Sequence, residues 1–159
     1  MEADSYKKFE AGPLLTGRTE IENISKLNAG LTWSCPGVAF AGNYFDSTYF
    51  SAVSTTTGTA TANTAGTDQA MWASVNLPNG ATITHVIVYG STTNENYSLI
   101  RTNLSAGTAT STLATAAVNT EDTSISDAVV DNMTYCYFLV VTLLDQNDII
   151  YGARITYTI

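Results

Sequence analysis

The sequence predicts an all-β protein: a single antiparallel β-sandwich, jelly-roll-like, of seven to eight strands, with an extended N-terminal arm that holds at most one short helix. Three observations predict it. Apolar residues alternate with polar ones in short runs, the pattern of a sheet with one buried face. Turn-forming clusters separate those runs at the spacing common in sandwiches and barrels. Charged residues make up 13% of the chain, against about a quarter in an average globular domain. Thr, Ser, Ala, Asn and Gly take their place, and threonine suits a pleated, solvated surface. A length of 159 residues fits one domain, read as residues 51–159, with residues 1–50 as an arm or assembly segment.

In chain order, Thr19-Glu20-Ile21-Glu22 forms a capping box, Ile21, Ile24 and Leu27 continue at helical spacing, and Asn28-Ala29-Gly30 ends the short helix. Gly12-Pro13 and Gly17 break the chain before it, and Cys35-Pro36-Gly37 after it. An isolated arm of this kind buries too little surface to order itself, so its shelter is the sandwich or a neighbouring subunit. Phe40 to Phe50 is rich in aromatics without a clean period. It reads as an edge or linking strand, as a subunit-docking patch, or as a sugar-stacking surface. Residues 54–67, a Thr/Ala/Gly run, read as a long loop or a solvent-washed edge strand.

The pattern then sharpens. Met71, Ala73, Val75 and Leu77 alternate with Trp72, Ser74 and Asn76, and Leu77-Pro78-Asn79-Gly80 turns the chain. In the next strand Ile83, His85, Ile87 and Tyr89 share one face, with Thr84, Val86 and Val88 on the other. A polar turn spans Gly90 to Asn96, a strand Tyr97 to Leu104, a weaker strand residues 108–118, and a short one centres on Ile125. Tyr135 to Leu144 is apolar on both alternating faces and reads as a central strand covered on both sides. Asp145-Gln146-Asn147-Asp148 supplies a turn. A half-buried strand follows with Ile149, Tyr151, Ala153, Ile155, Tyr157 and Ile159 inward, so the last thirty residues read as one hairpin that the rest packs around.

The net charge is −8, and after Lys26 nine carboxylates face only Arg101 and Arg154. Such a body repels phosphate backbones and anionic lipid heads, which excludes nucleic acid and membrane as its partners. No apolar segment follows the first eight residues and no run reaches membrane-spanning length, so the expectation is synthesis in the cytoplasm without a signal peptide. Cys35 and Cys136 lie far apart; Cys136, inside the most apolar strand, reads as a free buried thiol rather than half of a disulfide.

Catalytic chemistry finds little to work with. The lone histidine, His85, sits mid-strand as a packed or surface residue, and no nucleophile-elbow motif is present. One His and two distant Cys do not make a zinc or copper site. Glu121-Asp122, Asp127, Asp131 and the Asp145/Asp148 turn offer oxygens to a calcium ion, but without EF-hand spacing they read as turn residues bonded to local backbone. Sequons at Asn23, Asn96, Asn103 and Asn132 are matched by chance in so Ser/Thr/Asn-rich a chain. The reading is a non-enzyme with no cofactor and no metal.

The stretch Asn76-Leu77-Pro78-Asn79-Gly80-Ala81-Thr82-Ile83-Thr84-His85-Val86-Ile87-Val88-Tyr89-Gly90, together with Val130-Asp131-Asn132, Tyr135-Cys136-Tyr137 and Tyr151-Gly152-Ala153-Arg154-Ile155-Thr156-Tyr157-Thr158, resembles a jelly-roll-type β-sandwich module of uncharacterised bacterial, archaeal and viral proteins. The resemblance covers about residues 70–159 and carries no catalytic residues. A lone module with its own arm is similar to small viral coat or capsid-decoration proteins. The function expected from it is structural: a virion component that assembles with copies of itself or on a major capsid protein lattice. The interface would be Tyr6, Phe9, Leu14, Leu15, Ile21, Ile24, Leu27, Tyr44, Tyr49 and Phe50. The alternatives are a carbohydrate-binding sandwich that stacks sugars on Tyr44, Tyr49, Phe50, Trp72 or loop tyrosines, and an extracellular filament subunit.

Overall fold

The computed structural model describes residues 30–42, 52–54, 56–62, 69–108 and 110–159. In chain order its strands are β1 (Leu31–Pro36), β2 (Ala41–Gly42), β3 (Ala52–Val53), β4 (Ala60–Thr61), β5 (Gln69–Val75), β6 (Thr82–Gly90), β7 (Asn96–Asn103), β8 (Thr110–Ala117), β9 (Tyr135–Leu144) and β10 (Ile149–Thr158). They form two antiparallel five-stranded sheets. In sheet A, β10 lies between β1 and β6 and also pairs, through Ile149 and Ile150, with β4, which carries β3. Sheet B runs β2-β5-β9-β7-β8. A 3-10 turn, Gly37–Ala39, takes the chain from β1 in one sheet to β2 in the other.

The core is the layer between the sheets. Ile83, Val86, Val88, Ile150, Ala153 and Ile155 come from sheet A, and Met71, Ala73, Val75, Tyr97, Leu99, Leu113, Tyr137, Leu139, Val141 and Leu144 from sheet B; Phe40, Leu77, Val118 and Val130 close its rim. Each large aliphatic side chain buried there stabilises the fold by about 1.5–3 kcal/mol. The all-β sandwich that alternation and turn spacing predict is the architecture found. The stretch expected to form the arm contributes β1 and β2 to it, whereas the helix expected from Thr19 to Leu27 lies outside the described residues.

Three readings of the C-terminal half are corrected. The last two strands are not a hairpin: β9 sits in sheet B beside β5 and β7, and β10 in sheet A beside β1 and β6, so the turn at Asp145–Asp148 steps across the sandwich. Each strand finds long partners on both sides in its own sheet, β9 between β5 and β7 and β10 between β1 and β6, and a polar turn can step between two packed sheets as well as within one. The inward sets also differ from the expected ones. Register shifts fall between Ile150 and Gly152 and between Thr156 and Tyr157, and each extra residue flips the side chains beyond it. Ile150 is therefore buried while Tyr151 is half exposed, and Val86 and Val88, not His85 and Tyr89, face the core. Finally, β9 is covered on one side: Cys136 and Thr142 are exposed, so the Cys136 thiol is free but not buried.

Residues 118–134 do not form the separate strand expected around Ile125. They lie along the outer edge of β6, held by isolated bridges at Val86↔Asp122 and Thr82↔Val129 and by Asn119 N–H donating to Val88 O at 2.8 Å. Ser126 N–H donates to Leu113 O at 2.8 Å, tying the same segment to β8. This excursion covers the unpaired edge of β6, where another chain would otherwise add a strand. Arg101 pairs with Asp127 at 2.7 Å and Arg154 with Glu121 at 3.0 Å, fixing the excursion to both sheets.

Candidate binding face

With Met71, Ala73 and Val75 pointing inward, β5 must present Trp72 and Ser74 outward. The ladders then define two rows across the outer face of sheet B. One runs Ala41, Trp72, Val140, Ser98, Thr115; the next runs Ser74, Phe138, Ile100, Thr112. Trp72 is 39% exposed. Its ring lies 5.2 Å from that of Phe138, tilted by 40°, an arrangement that favours aromatic pairs. Phe138 and Ile100 are half-buried and Val140 is buried, so the middle of the face is apolar. Hydroxyls border it: Ser98 Oγ and Thr115 Oγ1 hydrogen-bond at 2.6 Å, and Ser74 and Thr102 lie on the same face. Neither row contains a charged side chain. Chemically this is an aromatic platform set among hydroxyl donors and acceptors, suited to an uncharged ligand with one apolar face and many hydroxyls.

The remaining candidates have local roles. Between β8 and the excursion is a shallow groove of about 240 Å³ bordered by Thr112, Thr115, Asp122, Ser124 and Ser126. Its carboxylate is already engaged: Asp122 accepts from Thr115 N–H at 2.8 Å, Ser124 N–H at 2.8 Å and Ser124 Oγ at 2.7 Å. Burial works against charge on Asp122, yet the donors from Ser124 and Thr115 prevail and hold its pKa below the usual carboxylate value. Asp131 accepts from Met133 N–H at 3.0 Å and Thr134 N–H at 3.3 Å, and with hydrogen bonding from Thr134 as the main cause its pKa is also lowered. Glu121 and Asp127 hold the two arginines. Asp122 and Asp131 thus bond local backbone, the role expected of turn acids, whereas Glu121 and Asp127 pair with distant arginines, which the sequence does not predict.

His85 lies half-buried on the outer face of sheet A opposite Thr156, its Nδ1 2.9 Å from Thr84 Oγ1. Cys35 and Cys136 belong to different sheets and are free. Burial pushes the Cys35 thiol up, against a hydrogen bond from the Ala153 backbone. The ten residues expected to form an assembly interface, Tyr6, Phe9, Leu14, Leu15, Ile21, Ile24, Leu27, Tyr44, Tyr49 and Phe50, all lie outside the described residues. Of the expected sugar-stacking rings, Trp72 is placed on an open face. Its partner Phe138 was missed because β9 reads as covered on both sides, and Ile100 because only the pairing of β7 with β9 brings it onto this face. The signal that finds them is the pairing of three strands, which no local window contains.

No family model matches the chain, and no curated protein matches it. Among solved structures it is similar to the C-terminal CBM6 of LamC, a marine laminarinase from Zobellia galactanivorans, at 16% identity and a TM-score of 0.46, over 79% of this chain and 99% of that one.

Proposed function

We propose that this protein is a carbohydrate-binding β-sandwich that seats a neutral glycan on the outer face of sheet B, with Trp72 as the stacking platform. The observation that carries the reading is a tryptophan left 39% exposed on the open face of a sheet, one strand in from its edge, with hydroxyls and no charge in the surrounding rows. A pyranose has an apolar C–H face that shields such a ring from water and equatorial hydroxyls that reach Ser74, Ser98 and Thr102. An acidic chain of net charge −8 selects against anionic polysaccharides. The test is a glycan array followed by titration calorimetry on the retained glycan. Trp72→Ala is expected to weaken binding at least tenfold with the melting temperature little changed, because the ring is not part of the core. An array without a retained neutral glycan, or equal affinity in the variant, overturns the reading.

Self-assembly, as in a coat or a filament, is the second reading, and one observation favours it. Met133 is 85% and Leu104 59% exposed, both at the end of the sandwich where Leu104 N–H donates to Thr134 O at 2.9 Å. Large apolar side chains left in water at one end of a molecule mark an interaction surface.

A further inference from the structure

At the opposite end, where β6 passes to β7 and β9 to β10, carboxylate oxygens of Glu95, Asp145 and Asp148 lie within 4.8 Å of one another. Acids gather in loops for many reasons, but Glu95 is different. Its side chain is 4% exposed, and its Oε2 is buried without a hydrogen-bond partner among the described residues. The two basic residues of this half of the chain are committed elsewhere, Arg101 to Asp127 and Arg154 to Glu121. A buried carboxylate beside two others, with no donor for one of its oxygens, is unfavourable unless a cation sits among them.

We propose that Glu95, Asp145 and Asp148 form a Ca²⁺ site. Two oxygens bound to one Ca²⁺ at about 2.4 Å are at most about 4.8 Å apart, and the three side chains fall within that limit. The donors are all hard oxygens, the set for Ca²⁺ and not for zinc or copper. Mg²⁺, which keeps most of its water and takes one or two carboxylates, is matched less well by three that converge. The turn is already shaped for the ion: Asp145 N–H donates to Asp148 Oδ2 at 2.7 Å, Asp148 N–H to Asp145 O at 3.1 Å, and Asn147 takes the left-handed φ of 74°. One oxygen of Asp148 holds the turn while the Asp145 side chain remains exposed to meet an incoming ion. Glu95 is fixed from behind, since its carbonyl accepts from Val118 N–H at 2.8 Å. A bound ion ties the loop leading into β7 of sheet B to the turn leading into β10 of sheet A. The turn chemistry that the sequence assigns to Asp145 and Asp148 is present; the buried Glu95 adds the third ligand.

The experiment is calorimetric titration of chelator-stripped full-length chain with CaCl2, with MgCl2 in parallel, and melting curves in CaCl2 and in EDTA. The expected result is saturable binding of about one Ca²⁺ per chain, several-fold weaker binding of Mg²⁺, and a melting temperature that rises with CaCl2 and falls back in EDTA. Glu95→Gln is expected to abolish the Ca²⁺ dependence. Asp145→Asn, at an exposed position, is expected to weaken Ca²⁺ binding at least tenfold without lowering the metal-free melting temperature, since it removes one of three converging like charges, and it decides the matter if the Glu95 variant fails to fold. A flat titration, identical melting in CaCl2 and EDTA, Mg²⁺ binding as tight as Ca²⁺, or undiminished Ca²⁺ binding by Asp145→Asn each overturns the assignment. Trp72→Ala is expected to bind Ca²⁺ as the native chain does, which keeps this site separate from the glycan face.

Discussion

Tyr97 joins the two sheets through a single oxygen. From β7 in sheet B its hydroxyl reaches Val86 O at 2.6 Å and Thr120 O at 2.9 Å, and accepts from Asp122 N–H at 3.2 Å. Tyr97→Phe keeps the ring but removes the hydroxyl's bonds; Asp122 N–H still donates to Val86 O at 2.9 Å, so the variant is expected to lower stability by about 0.5–1.5 kcal/mol in denaturant melts. The hydroxyl also sets an alkaline limit. Burial pushes its pKa up to about 12, with Asp122 and Glu121 adding and the Asp122 backbone hydrogen bond opposing. The folded state thus holds this proton more tightly than the unfolded state, where it leaves near pH 10. The stability it contributes is full below about pH 10 and lost as the pH climbs through about 12. The native chain is expected to weaken across that window more steeply than Tyr97→Phe; equal slopes would remove this role. None of it was legible in the sequence, where Tyr97 is one aromatic at the start of a strand. Glu95 was equally silent, since a lone acid in a polar turn acquires a meaning only when a turn fifty residues later folds onto it.

At the level of elements, the alternation located the strands and misplaced their phase. Ile149, Tyr151 and Ala153 form an unbroken period-two set, but the chain inserts a bulge among them, so Ile150 goes inward. Gly152 makes the bulge possible. A Cβ there would lie 2.5 Å from Cys35 O, inside the β1–β10 pairing. Gly152→Ala is expected to push β1 away from β10 and lower stability by more than about 1 kcal/mol, read from thermal melts; a loss under half of that would mean that β1 shifts freely. The expectation of a hairpin from β9 and β10 failed for a related reason. A short polar turn joins strands of one sheet or of two equally well, and the long-range partners β1, β5, β6 and β7 decide.

For the whole molecule, composition and turn spacing were enough to specify the sandwich, because a hydroxyl-rich, low-charge chain with alternating apolar residues has few other ways to bury them. The assembly reading rested on arm residues that lie outside the described part, so the apolar end at Leu104 and Met133 is where it is now testable. Replacing both with serine is expected to leave a folded chain, since neither side chain is in the core. If copies associate through that end, light scattering will record a larger mass for the native chain than for the double variant. A monomer's mass for both removes the second reading, and equal larger masses remove this end as the contact.

β10 pairs with β1, β4 and β6, three segments drawn from the first, second and third quarters of the polypeptide. It is also made last of the ten. A ribosome therefore releases most of this molecule before sheet A has a middle, and in that interval β1 and β6 have no strand between them. Sheet B is less exposed to the delay, since β5, β7, β8 and β9 have all emerged by then. Premature termination between Asp145 and Asp148 would consequently leave one sheet with its pairings intact and the other as unpaired edges, a species prone to aggregate during synthesis.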